Sequence, residues 1–128
     1  MACNSSVGLA IIPNGVSGIF GWVKSLFVDT NNVTIPGVGG ESSSGKIAFT
    51  PASGFQLDLV LADTLAVDLN FTLKNLTTTS SSSGTITAGN LTARTSGGVS
   101  FSVGDEMAVI VSLASGAQII PYIQWNAH

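Results

Sequence analysis

The sequence predicts an all-β fold of about eight to ten short antiparallel strands, arranged as a sandwich, jelly roll or barrel. Three observations carry this expectation. Apolar and polar residues alternate with a period of two in several separate stretches. Clusters of Gly, Pro, Asn, Asp and Ser punctuate those stretches at short intervals. Only the stretch 15–28 carries helical spacing, and glycines at 15, 18 and 21 interrupt it.

Leu65–Lys74 shows the alternation most plainly. Leu65, Val67, Leu69, Phe71 and Leu73 fall on one side, and Ala66, Asp68, Asn70, Thr72 and Lys74 on the other. A strand sends successive side chains to opposite faces, so this pattern gives one core face and one wet face. From the N-terminus, Val7–Ile12 is a short apolar run that ends at the turn signal Pro13-Asn14-Gly15. Gly15–Val28 reads in two ways. As a strand it places Phe20, Trp22, Leu26 and Val28 on one face, with Lys24 intruding. As a helix it groups Val16, Ile19, Phe20, Val23 and Phe27. Asn31–Gly45 is rich in glycine and serine and leaves room for one short strand at Val33–Ile35. Gly45–Phe49 is a strand stopped by Pro51. Phe55–Leu61 alternates, and the Ala62-Asp63-Thr64 spacer allows a hairpin or a crossover between sheets.

Thr77–Gly84 reads as a polar loop or strand end, and Thr85–Ala88 resumes strand character. Gly89 and the segment Arg94–Gly98 mark turns. Val99–Val103 alternates, and Gly104-Asp105 forms a turn signature before Met107, Val109, Val111 and Leu113, which share a face. Ser115-Gly116 turns the chain into Ile119–Trp125. There Ile119, Ile123 and Trp125 are expected on one side, and Ile120, Tyr122 and Gln124 on the other. Large groups on both faces fit a strand set between a core and a neighbouring subunit. Pro121 cannot donate a ladder hydrogen bond, so its nitrogen must meet an edge or a bulge.

At 128 residues the chain reads as one domain, with residues 45–128 as the core sandwich and 1–44 as an N-terminal strand and loop region. Charged residues make up 9%, against about 25% in an average globular protein. Hydrophobic content is 45% and mean hydropathy +0.48. An uncharged but periodic chain of this kind points to a surface covered by copies of itself or by a larger assembly, rather than to a monomer with a hydroxyl-rich skin. The net charge is −3, and Lys24, Lys46, Lys74 and Arg94 are scattered, so no basic footprint for nucleic acid exists. No apolar run reaches the length of a membrane span, and MACNSSVGLAII lacks the basic start of a secretory signal.

Residues that could carry reaction chemistry are sparse. Cys3 is the single cysteine and excludes an internal disulfide; His128 is the single histidine. No G-x-S-x-G elbow and no zinc or EF-hand spacing occurs. Asp105 and Glu106 are adjacent in a turn, and Asp58 and Asp68 lie on wet strand faces, so none forms a carboxyl pair across a cleft. Asn4, Asn32, Asn70, Asn75 and Asn90 each begin an N-x-S/T triplet, as chance provides in a chain so rich in Ser and Thr. The expectation is a non-enzymatic protein with no catalytic, cofactor or metal residues.

The order VDLNFTLKN at Val67–Asn75, GTITAG at Gly84–Gly89, VSFSVGDEMAVIV at Val99–Val111 and a last apolar strand ending at Trp125 resembles the trimeric jelly-roll heads of the tumour-necrosis-factor and complement-component type. Bacteriophage fibre heads, needle knobs and head-decoration proteins, and the tips of bacterial collagen-like spore proteins, share that pattern. The resemblance covers about half of the chain and implies a homotrimer of ten-stranded sandwiches, with the last strand in the sheet that faces the threefold axis. On that basis Tyr122, Ile123 and Trp125 are expected at a subunit interface. The implied role is a structural virion protein, a capsid decoration protein or a fibre or tail head, whose partners are its own copies and other capsid or tail proteins. The other reading is a glycan- or receptor-binding head on a phage fibre or on a bacterial spore or cell surface, with Trp22 and Tyr122 as the contact residues.

Overall fold

A computed structural model describes residues 7–9, 18–35, 45–46, 56–102 and 105–127. Among them the regular elements are strands, and no helix occurs: β1 Val7–Leu9, β2 Gly18–Val28, β3 Val33–Thr34, β4 Gly45–Lys46, β5 Leu57–Leu61, β6 Leu69–Asn75, β7 Ser81–Ile86, β8 Thr92–Arg94, β9 Glu106–Leu113 and β10 Gln118–Ala127. Two antiparallel sheets form a sandwich-like pair. The first, sheet 1, runs β1-β2-β10-β5-β8; the second, sheet 2, runs β3-β9-β6-β7, with β4 also paired to β9. The pairing is nested about the β6–β7 turn. β6 pairs with β7, β5 with β8, β3 with β9 and β2 with β10.

The core lies between the sheets and follows the period-two pattern. Leu57, Leu59 and Leu61 of β5 and Ile123 and Trp125 of β10, all from sheet 1, share one buried cluster with Leu69, Phe71 and Leu73 of β6 and Met107, Val109, Val111 and Leu113 of β9 from sheet 2. Full burial of such side chains is worth about 1.5–3 kcal/mol each. Backbone and side-chain bonds stitch the edge where β7 meets the segment that follows β8: Ser96 N–H donates to Ser83 O at 2.9 Å, and Gly97 N–H to Ser82 Oγ at 2.9 Å. Such closure hides edges that would otherwise invite other chains.

Several expectations change in detail. The stretch 15–28 resolves as a strand from Gly18. The apolar segment Leu65–Lys74 does not begin its strand until Leu69, because residues 62–68 carry the chain from sheet 1 to sheet 2; sheets packed face to face stand about 10 Å apart. The spacer is therefore a crossover and not a hairpin. Leu65 still packs into the core. Ser81–Gly84, expected in a loop or strand end, belongs to β7, and Thr92–Arg94, partly read as a turn, forms β8. Of the expected strand Val99–Val103, residues 100–102 are not strand, although Val99 and Phe101 are buried, and Val103 lies outside the described residues. The turns at Gly89 and Gly116 hold, with φ of 87° and 73°. Residues 10–12 and 47–49, included in expected strands, lie outside the described residues.

The largest departure is in the β2–β10 ribbon. Inward positions in a strand should step by two. In β2 they step by three, from Val23 to Leu26, and then to Val28; in β10 they step by three, from Ile120 to Ile123, and then to Trp125. The ladder pairs Tyr122 with Lys24 and Ile120 with Leu26 but skips Ser25 and Pro121. Ser25 takes φ 57°, a left-handed conformation that serine seldom adopts. Proline has no N–H to give at that point, so a break in pairing costs the least there. Both strands change phase together, and their outward sets become Trp22, Lys24 and Phe27, and Ile119, Tyr122 and Gln124. A second irregularity falls between Trp125 and Asn126, where β2 carries one extra residue.

Candidate functional site

The phase change decides what the outer face of sheet 1 presents. Phe27 and Ile119 stand directly opposite one another and are 54% and 61% exposed. Without the change, one of each neighbouring pair of apolar residues would have entered the core in its place. Along β10, Tyr122 Oη donates to Gln124 Oε1 at 2.7 Å, and Gln124 Nε2 donates to Asn126 Oδ1 at 3.0 Å. These residues are two apart, so they share a face, and the bonds hold their side chains in a fixed row. Trp22 pairs with Gln124 from β2; Val60 pairs with it from β5 and is in turn opposite Thr92 of β8. Asp58 and Arg94 close the far side of the face, with Arg94 Nε 2.6 Å from Asp58 Oδ1 and Nη2 3.3 Å from Oδ2. The hydrogen bond to Asp58 raises the Arg94 pKa above its already high ordinary value. An exposed pair of this kind is screened by solvent and adds little to stability.

The outer face of sheet 2 differs in kind. Ser81, Ser83 and Thr85 of β7 are exposed beside Asn70, Thr72 and Lys74 of β6. Thr72 Oγ1 and Ser83 Oγ lie 3.0 Å apart, and Thr85 Oγ1 donates to Asn70 Oδ1 at 2.8 Å. These hydroxyls satisfy one another, so this face is wet and self-paired, whereas sheet 1 offers aromatic and aliphatic area.

The structure divides the residues singled out from sequence. Trp22 and Tyr122 come together, on adjacent strands of one outward face, one residue pair apart. Ile123 and Trp125 do not join them. Both are fully buried between the sheets, so neither has surface to offer a second copy; this corrects their expected place at an interface. The reason is that Ile123 and Trp125 are odd in phase and Tyr122 and Gln124 even, and sheet 1 can send only one set outward. Trp125 also carries a buried indole N–H with no acceptor among the described residues, a cost of about 1–3 kcal/mol. Phe27 and Ile119 were missed as surface residues because their phase depends on Ser25 and Pro121, and Pro121 was the only sequence signal of a break.

The acids serve local structure. Asp68 Oδ1 accepts from Ala88 N–H at 2.9 Å, and Asp29 Oδ1 from Asn31 N–H at 2.8 Å. Asp105 Oδ2 accepts from Ser102 N–H at 2.9 Å and from Asn75 Nδ2 at 2.9 Å, and these bonds, the first the stronger, hold its pKa below the ordinary carboxylate value. Among the described residues no three His, Cys, Asp or Glu side chains gather as a metal site would require. No helix among them is long and apolar enough to cross a membrane. Cys3 and His128 lie outside the described residues. Comparison of the chain with family models, with curated proteins and with solved structures finds no match.

Proposed function

We propose that the chain is a jelly-roll subunit of a homotrimeric, non-enzymatic structural protein, a decoration protein or fibre or tail head of a virion, which docks on other capsid or tail proteins. The nested pairing is the observation that carries this reading. A jelly roll is an antiparallel ribbon wrapped so that strands equally distant from a central turn pair with one another. The order β2-β10-β5-β8 against β3-β9-β6-β7, with β1 and β4 added at the sides, supports such a plan. The outer face of sheet 1 supports self-association. It holds the last strand, as the resemblance implies, and it groups Phe27, Ile119, Tyr122 and Trp22 on one side of the molecule. Contiguous exposed apolar area on a small domain marks an interaction surface.

Light scattering coupled to size-exclusion chromatography tests the proposal. The expected mass is three times 13.0 kDa, held on dilution to low micromolar concentration; a monodisperse monomer would overturn it. The second reading, a glycan-binding head, draws on the same face, where Trp22 and Tyr122 flank the amide row of Gln124 and Asn126. Aromatic rings and amides together suit a sugar. The two readings compete, because a face buried between sister copies cannot also hold a glycan. Binding on a glycan array that Trp22→Ala abolishes, in a chain that remains monomeric, would favour the second.

A further inference from the structure

The turn that joins β6 to β7 borders a cavity of about 130 Å³, lined by Lys74, Asn75, Leu76, Thr79 and Ser80. It lies outside the sheet 1 face, and three features meet in it. Lys74 is half buried, its cross-strand neighbours are Ser81 and Ala108, and it makes no ion pair among the described residues. Thr79 takes φ 66°; a β-branched residue with positive φ is strained, and such strain gathers where a loop is held for a purpose. The third feature is an excess of donors. The Asn75 amide is fully engaged, since Oδ1 accepts from Thr77 N–H and Thr78 N–H while Nδ2 donates to Ser100 O and Asp105 Oδ2. Thr79 gives its hydroxyl proton to Thr78 O. Ser80 Oγ accepts from Thr78 Oγ1 at 3.2 Å, which leaves the serine proton free to donate. Lys74 adds three ammonium protons. Asp105 and Glu106, the nearby acids, do not line the cavity.

We infer that this cavity binds one small oxyanion, with the Lys74 ammonium supplying charge and the Ser80 hydroxyl a second hydrogen bond. A positive charge with adjacent donors and no lining carboxylate selects planar or tetrahedral oxygens of opposite sign. The volume is well below the roughly 300–1,000 Å³ of pockets that enclose a whole small molecule. The cavity therefore takes the anionic group alone and leaves its carrier outside. A free sulfate or phosphate and the carboxylate of an acidic sugar present the same chemistry. The inference does not depend on trimer formation, and its test reads local binding rather than mass.

The experiment is a nuclear magnetic resonance titration of the whole ¹⁵N-labelled chain at constant ionic strength, with sodium sulfate, sodium glucuronate, glucose and sodium chloride in separate arms. Saturable shifts confined to the amides of residues 74–80 are expected with an oxyanion and not with glucose or chloride. Lys74→Met keeps the side-chain stem and should weaken binding at least about tenfold, the effect of losing a charge-assisted hydrogen bond; Ser80→Ala should weaken it less. Both variants should keep the remainder of the spectrum, which separates loss of the site from loss of the fold. Saturation by sulfate alone assigns a free anion, and saturation by glucuronate, alone or with sulfate, assigns an acidic sugar as carrier. No saturable shift with either, equal shifts with chloride, or undiminished binding by Lys74→Met overturns the site.

Discussion

Gly84 lies where β7 passes close to Phe71 of β6 and to the backbone of β8. A Cβ built there would stand 2.6 Å from Phe71 Cζ and 2.8 Å from the Arg94 carbonyl oxygen. Phe71 is buried and the carbonyl is backbone, so neither yields cheaply. Gly84→Ala should therefore destabilise by about 1–3 kcal/mol, as overpacking does, seen as a lower urea midpoint at unchanged slope. In the sequence Gly84 looks like the end of a polar loop. The close approach depends on the pairing of Phe71 with Gly84 and on the seam with β8, and neither is local. Asp105 was legible, since aspartate in a turn bonds nearby backbone, and it accepts from Ser102 N–H. Its folded pKa lies below the ordinary 3.8. The sign follows: the carboxylate stabilises the fold above the unfolded pKa, and that contribution disappears as pH falls through the depressed folded value. Asp105→Ala should lower the melting temperature at neutral pH, and the gap to the parent chain should close below pH 3.8. A gap that persists unchanged into acid would show that the charge is not what Asp105 contributes.

At the level of elements, β5 and β6 were readable because each alternates with burial on one side, and β9 nearly so, with the small Ala108 buried out of step between Met107 and Val109. β7 was not, because its outward positions are Ser81, Ser83 and Thr85 and only Ile86 is fully buried. Its strand is set by pairing with β6, including the Thr72–Ser83 hydroxyl contact, and not by its own hydrophobicity. The β2–β10 ribbon defeated the pattern for a different reason. Two strands shift phase at the same place, so each looks wrong alone and the pair is consistent. Ser25 carries the conformational cost of that shift. Ser25→Val should destabilise by about 1–2 kcal/mol, since a β-branched residue suffers most in the left-handed region. Ser25→Gly should be neutral or stabilising by up to about 1 kcal/mol. Equilibrium denaturation of the two variants checks this ordering, and equal midpoints would mean that the phase change is not anchored at Ser25.

For the molecule as a whole, the low charge had suggested a surface finished by sister chains, but the two outer faces share that property unequally. Sheet 2 meets water with hydroxyls that bond to one another, and sheet 1 meets it with Phe27, Ile119, Tyr122 and Trp22. Low charge on sheet 2 therefore needs no partner to explain it, and the case for assembly rests on sheet 1. Phe27→Asp together with Ile119→Asp should convert a trimer to monomers, because two desolvated carboxylates would face apolar contacts. Both residues are more than half exposed in the single chain, so the far-ultraviolet circular dichroism and the fold should survive. Ile123→Ala should behave in the opposite way. It empties a fully buried position and should cost about 2–5 kcal/mol of stability, while any chain that still folds keeps its mass. Light scattering and thermal melting on the two variants separate the roles of adjacent faces of one strand. A trimer that persists in the double aspartate variant would move the contact away from sheet 1, and with it the reason for the paired phase change that sets Phe27 and Ile119 in solvent.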